Sequence, residues 1–338
     1  MTKVLVTGYG GFLGEEIVRQ LLAAGYSVRG LARGHYPELE ALGVETFRGD
    51  VSHRATVLNA CLGCEAVVHT AAKAGVWGAW RDYYTVNTLA TSHLLEAAHR
   101  ADTQAFVFTS SPSVTFAGEH QSGVDETVPY PSKWLCFYPQ TKALAEQAVL
   151  AAARTSPLRT CALRPHLIWG AGDPHLFPRV IERTRQGRLR RIGSGRNLID
   201  VVHVSSAARA HVQAVDHLLQ GNQLLNGQAL FLTDGKPVPC WDWISRILAV
   251  AGVPVPQKSI SYAAAYRIGA TLEGTYWTFG VKREPPMTRF VAAQLAMDHY
   301  FNIGQARSLL NYDPAVDTDA EFERCRPWLE ALGQQPYG

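Results

Sequence analysis

Tyr138 and Lys142 stand four residues apart, a spacing that puts two side chains on one face wherever the backbone is helical. Together they make an acid–base pair. A free phenol ionises near pH ~10 and exchanges protons poorly at neutrality, and a neighbouring ammonium favours the phenolate. Ser111 offers a hydroxyl that can polarise the same oxygen. A proton would then pass between Tyr138 and a carbonyl or hydroxyl oxygen while a hydride moves to or from the carbon. A lone Tyr-x-x-x-Lys is common, and Ser110-Ser111 reads equally as a polar turn, so the weight lies in the combination.

A second constellation opens the chain. Gly8, Gly11 and Gly14 are spaced three apart between an apolar run and a helical pattern. The first permits a tight turn, the second a close backbone approach by a pyrophosphate, the third close helix–strand packing. The N–H groups at Phe12 and Leu13 then face the phosphates. The second apolar run ends in Ala32-Arg33, where an NAD site would carry a carboxylate for the adenine ribose. A guanidinium there suits a 2′-phosphate, so NADP (NADPH) is expected, with NAD as the alternative; Arg33 as an ordinary surface arginine is the plainer reading. Asp50, followed by Val51, can meet the adenine or cap the next helix. Ala71 and Ala72 are small enough for a cofactor to lie over the sheet edge, and Lys73 beside them can bind its phosphates.

These residues need a frame. Strands are expected at 3–7, 27–32, 44–48, 65–69, 104–109 and 158–164, and helices at 12–24, 80–99 and 133–154, with Gly25 as a stop signal. Alternating strands and helices imply an α/β fold, a Rossmann-type doubly wound parallel sheet. After Pro165 the apolar runs shorten and Gly, Pro and Arg become frequent. The expected division is a dinucleotide-binding domain at 1–169 and a smaller C-terminal substrate-binding lobe at 170–338, with about 200–233 returning to the first.

Composition removes other classes. The chain of 338 residues is 47% hydrophobic with a net charge of +3, which argues for no nucleic-acid partner. No run reaches the ~20 apolar residues of a membrane span. Cys61 and Cys64 form one CxxC pair without a second, so no metal is expected, and the scattered cysteines suit a reducing cytoplasm.

The glycine turn, Gly49-Asp50, Thr109-Ser110-Ser111, Tyr138 to Lys142 and Leu163-Arg164-Pro165 together resemble an extended short-chain dehydrogenase/reductase along nearly the whole chain. Asn87 to Thr91 matches the family's Asn-x-x-Gly-Thr with alanine for glycine. The resemblance implies Asn87 as a support residue, Pro165 at the cofactor, and a homodimer through the helices at 80–99 and 133–154.

Residues 164–174 and 193–204 resemble the 3β-hydroxysteroid and sterol-4-carboxylate 3-dehydrogenase branch. Nucleotide-sugar epimerases and dehydratases usually carry an arginine where this chain has Ile199, and an aliphatic group cannot clamp a diphosphate. Ala71 to Gly78 is similar to the bacterial 2-alkyl-3-oxoalkanoate reductases of long-chain olefin synthesis. That implies NADPH-dependent reduction of a 3-keto group between two alkyl chains. Val76, Trp77, Ser111, Tyr138 and His166 are the expected substrate contacts, and Lys73 is a candidate for the carboxylate. The stretch 261–281 reads as a lid, a peripheral membrane contact or plain core. The arginines from Arg183 to Arg196 are a solvated face or a patch for pathway enzymes. A binding-only redox sensor is the non-enzyme alternative, disfavoured because the tyrosine is kept.

Overall fold

The computed structural model describes residues 1–314 and 316–335; the last three positions of the expected substrate lobe lie outside them. Seven strands make the central sheet: β1 (Lys3–Thr7), β2 (Ser27–Ala32), β3 (Glu45–Arg48), β4 (Ala66–His69), β5 (Ala105–Thr109), β6 (Arg159–Pro165) and β7 (Gln228–Leu232). All neighbours are parallel and the spatial order is 3-2-1-4-5-6-7. Strands covered on both faces need continuous apolar runs rather than alternation. Val4-Leu5-Val6 and Phe106-Val107-Phe108 supply them, all at most 1% exposed. Helices Phe12–Ala23 and Val204–Leu219 pack together on one face; Arg54–Cys61, Ala90–Arg100 and Phe137–Thr155 cover the other. The first helix stops where expected, at Gly25 with φ +86°.

The chain order reverses between β1 and β4, which opens a crevice at the carboxyl ends of those strands. Beyond that edge lies a smaller sheet of Gln121–Val124, Leu198–Ile199, Val238–Pro239 and His299–Phe301. Helices Leu176–Arg185, Cys240–Val250 and Thr318–Gln334 enclose its aromatic core of Trp169, Phe177, Trp241, Trp243 and Phe322. The helix Val204–Leu219 and β7 return to the main sheet.

Two elements differ from the sequence expectation. The helix at 80–99 is α-helical at Trp80–Tyr83 and again at Ala90–Arg100, with a π turn at Tyr84–Leu89 between. The helix placed at 133–154 begins at Phe137, because Pro139 is tolerated only in a first turn. The stretch 261–281 is not plain core: the helix Tyr262–Thr278 buries Ala265, Gly269 and Glu273 but exposes Ile268 and Trp277, and Phe279 follows at 77% exposed. Among the described residues no helix is long and apolar enough to cross a membrane.

Candidate active site

The glycine turn shows why it must be glycine. Gly8 has φ +69°, and a Cβ on it would stand 3.0 Å from the Ala71 backbone. A Cβ on Gly14 would stand 2.2 Å from the Gly8 carbonyl oxygen, so the helix can approach the strand only without one. Gly11 caps the helix with no side-chain bond to its first turn, leaving the N–H groups around Phe12, Leu13 and Gly14 for a ligand. Gly10, given no role from the sequence, lies under the ring of Tyr36, which would meet a Cβ at 2.1 Å. Tyr36 in turn stands edge-on to Tyr9 at 5.1 Å. This cradle fits a dinucleotide.

Arg33 follows β2 and is exposed; Asp50 follows β3, the adjacent strand. Asp50 accepts from the Ser52 amide and hydroxyl, both at 2.8 Å, so it closes a turn, and the N-cap position of the next helix falls to His53, whose side chain makes no capping bond. Ser52 and the nearby Arg33 cation outweigh its desolvation and hold its carboxyl below the usual range. Val51 is buried beneath.

The floor of the crevice is a hydrogen-bond chain. The Ala71 amide donates to Thr7 Oγ1 at 3.3 Å, and Thr7 lies 2.7 Å from His69 Nδ1. Thr91 gives its proton to the Asn87 carbonyl at 2.6 Å, so His69 Nε2 must donate to Thr91 Oγ1 at 3.0 Å. Burial drops the His69 pKa to about 3 and keeps it neutral. The π turn presents Asn87 so that its side chain accepts from Lys73 N at 2.7 Å and donates to Lys73 O at 3.0 Å and Thr141 Oγ1 at 3.1 Å. One amide thus ties the Ala71-Ala72-Lys73 strand end to the Tyr138 helix.

Ser111 and Tyr138 interact, and Lys142 stands one turn along the Tyr138 helix. Ser111 lies two residues beyond the end of β5, and its hydroxyl acts on the Tyr138 phenol. Burial raises the Tyr138 pKa and the Ser111 bond opposes that shift. The expectation that Lys142 lowers the phenol needs correcting here. Its ammonium instead donates to the Thr109 carbonyl at 2.5 Å and lies 3.9 Å from the centre of the Phe108 ring. Desolvation draws the Lys142 pKa down to about 7, partly offset by Glu146 one turn on.

His166 also departs from expectation. Its ring is buried, with Nε2 2.7 Å from His299 Nδ1 and Phe301 edge-on at 5.2 Å. A nitrogen committed to His299 inside the protein does not meet substrate. Pro165 is buried at the end of β6. Ile199 points into the core of the smaller lobe. Lys73 is half-exposed, 3.6 Å from Asp82 and above the Tyr83 ring.

Val76 and Trp77 sit on a short loop between Gly75 (φ +121°) and Gly78 (φ +147°). Trp77 donates its indole N–H to the Val281 carbonyl at 3.1 Å and packs against Trp277 at 5.0 Å. Trp277 also meets Phe137 at 6.0 Å, the residue before Tyr138. An aromatic wall therefore joins the loop, the outer helix and the Tyr138 helix. Sequence reading placed Trp77 here but missed Phe137 and Trp277 as its partners, since 204 residues separate Trp77 from Val281. Of the arginine run, Arg183 pairs with Glu284 at 2.5 Å, and Arg188, Arg190, Arg191 and Arg196 are exposed.

Residues 5–262 match the 3-beta hydroxysteroid dehydrogenase/isomerase family. A 2-alkyl-3-oxoalkanoate reductase of Shewanella oneidensis is 42% identical over 335 residues, covering 97% of this chain and 87% of its own. The protein of that name from Stenotrophomonas maltophilia is 42% identical over 327 residues, covering 96% and 98%. Among solved structures, MoeE5 in complex with UDP-glucose and NAD superposes with a TM-score of 0.73 at 25% identity, covering 97% of this chain and 99% of its own.

Proposed function

This chain belongs to the 3-beta hydroxysteroid dehydrogenase/isomerase family, within the extended short-chain dehydrogenase/reductases, and from that premise we propose that it reduces the 3-keto group of a 2-alkyl-3-oxoalkanoic acid with NADPH. That it is an NAD(P)-dependent oxidoreductase acting on CH–OH or C=O groups follows from the family and its relatives. The observation that carries the substrate reading is end-to-end similarity at 42% to two 2-alkyl-3-oxoalkanoate reductases.

The Gly8–Gly14 cradle would hold the pyrophosphate of a nicotinamide dinucleotide, which would supply the hydride. Tyr138, kept protonated by burial, gives its proton to the carbonyl oxygen as that oxygen gains charge. Ser111 donates a hydrogen bond to the same oxygen. Lys142 sits one turn away to hold the nicotinamide ribose. Arg33 meets the 2′-phosphate of NADPH. The aromatic wall of Trp77, Phe137 and Trp277 takes an alkyl chain, and Lys73 at the rim takes the carboxylate. On this reading 1–169 carries the cofactor and 170–338 shapes the substrate pocket. The enzyme works as a cytoplasmic homodimer through the helices at 80–99 and 133–154, the first of which exposes Tyr84 and Leu89 at 38% and 36%.

The family description favours a second reading, a 3β-hydroxysteroid or sterol-4-carboxylate dehydrogenase with the same three residues. A nucleotide-sugar substrate is disfavoured, because buried Ile199 provides no cation for a diphosphate. The test is nicotinamide absorbance with a 2-alkyl-3-hydroxyalkanoate, a 3β-hydroxysterol and a UDP-sugar, each with NADP and with NAD. Turnover of the hydroxy acid with NADP is expected, reduced about 10²- to 10⁴-fold in Tyr138→Phe. Turnover of the sterol alone would transfer the enzyme to the second reading.

A further inference from the structure

Ser111 begins the short 3-10 turn Pro112–Thr115, and its Oγ has three hydrogen-bonding neighbours. The Ser113 amide donates to it at 3.3 Å. The Ser113 hydroxyl lies 2.9 Å away. The third is the Tyr138 phenol, whose pKa the Ser111 hydroxyl lowers against the effect of burial. A serine oxygen has one proton to give and two lone pairs to fill. The amide fills one lone pair. If Ser111 donated to Ser113, it would have no proton left for the oxygen that reacts beside Tyr138. If Ser113 donates to Ser111, both lone pairs are filled and the single proton of Ser111 must point toward Tyr138 and the reacting oxygen.

The turn that carries Ser113 is held from several sides. Pro112, Val114 and Thr115 are buried. Thr115 Oγ1 donates to the Pro112 carbonyl at 2.9 Å and accepts from Gln121 at 3.0 Å. Trp134 donates to the Val114 carbonyl at 3.0 Å. Ser113 itself is half-buried. A hydroxyl fixed in this way is a preorganised dipole, which costs no reorganisation when charge develops.

We propose that Ser113 is a positioning residue for hydride transfer: its hydroxyl donates to Ser111 Oγ and so directs the Ser111 proton onto the substrate oxygen. Ser113 exchanges no proton and forms no covalent bond. The inference rests on the Ser111–Tyr138–Lys142 reading above.

The two proton directions predict opposite signs, which makes the test sharp. Wild type, Ser113→Ala, Ser113→Thr and Tyr138→Phe are compared as full chains, oxidising a 2-alkyl-3-hydroxyalkanoate with NADP across a pH series. Cofactor affinity is read separately by nicotinamide fluorescence. For Ser113→Ala, kcat is expected to fall roughly tenfold with cofactor affinity unchanged. The midpoint at which kcat rises with pH should move up, because the phenolate loses a well-directed donor. Ser113→Thr keeps the hydroxyl and should recover most of the rate. If Ser111 donates to Ser113 instead, the alanine variant frees a proton and turns over at least as fast as wild type with an unmoved profile, which overturns the proposal. Equal losses in Ser113→Ala and Ser113→Thr also overturn it, since packing alone would then be at work. A dead Tyr138→Phe beside a normal Ser113→Ala sinks only this inference, whereas an active Tyr138→Phe removes the parent reading as well.

Discussion

Lys142 is enclosed at 2% exposure with one carbonyl and one ring face for company. Its pKa of about 7 in the fold lies below the ordinary 10.5, so between those values the unfolded chain binds the extra proton. Stability therefore rises with pH across that window. Lys142→Met carries no such proton. Its stability advantage over wild type should be largest below pH 7 and should shrink as pH climbs toward 10.5, read by calorimetry of the cofactor-free protein. Parallel curves for the two proteins would mean that the lysine titrates as if exposed. At the adenine end, Arg33→Ala should raise KM for NADPH roughly tenfold and leave that for NADH unchanged. An equal change for both would strip Arg33 of phosphate recognition. At this scale residue types were readable: Ser111, Tyr138, Lys142 and the three glycines were all visible as chemistry in the sequence. Partners were not. That Lys142 reaches the Thr109 carbonyl depends on where β5 ends relative to the Tyr138 helix, which no spacing encodes, and that Ser113 stands on Ser111 depends on the 3-10 turn that they share.

Among elements, the strands were legible and the π turn was not. A strand buried on both faces shows itself as a short apolar run, and all six anticipated strands are found within one residue of their expected starts and ends. A π turn adds one residue to a helix without disturbing its composition, so nothing in residues 80–99 announces it. Its consequence is large, because it turns Asn87 toward Lys73 and Thr141. Asn87→Ala removes three hydrogen bonds at once and leaves the Lys73 amide buried without a partner. A loss of about 2–4 kcal/mol is expected from denaturant melts, together with weaker cofactor binding as the strand end loosens. Asn87→Ala with unchanged stability would show that water replaces the amide there. The outer helix was equally hard to place, because its alternation of small and aromatic groups suits core, lid or membrane face. Its contact with Trp77 favours a lid. Trp77→Ala should raise KM for a long-chain substrate about tenfold and hardly change it for a short-chain analogue, since about 0.8 kcal/mol attaches to each buried methylene. Equal effects on both substrates would count against an alkyl site.

At the scale of the whole molecule the question is how the smaller lobe is held over the sheet edge. Part of the bond runs through His166 and His299. His299 Nε2 lies 2.8 Å from the Gln294 carbonyl, which can only accept, so that nitrogen carries a proton. His299 Nδ1 is then the acceptor, and His166 Nε2 must donate across the 2.7 Å gap. Both rings are neutral and each has one permitted tautomer. This chain links the end of β6 with the strand His299–Phe301 of the smaller sheet. It was invisible in the sequence, where the histidines lie 133 residues apart and His166 is expected at the substrate. Burial depresses both pKa values, that of His299 to about 4. The unfolded histidines hold protons below about 6.5, so the fold loses stability as pH falls from there to about 4. His299→Phe keeps the ring and removes the titration. At pH ~8 it should be less stable than wild type by about 2–4 kcal/mol, because the His166 donor and the Gln294 carbonyl are left buried and unpaired. Toward pH 4 the gap should narrow, as wild type pays the protonation penalty and the variant carries one titrating ring fewer. Thermal melts by circular dichroism across that range decide it. A gap that stays constant would mean that the two rings titrate alike in the folded and unfolded chains, and that the lobe is held by its apolar contacts and not by this pair.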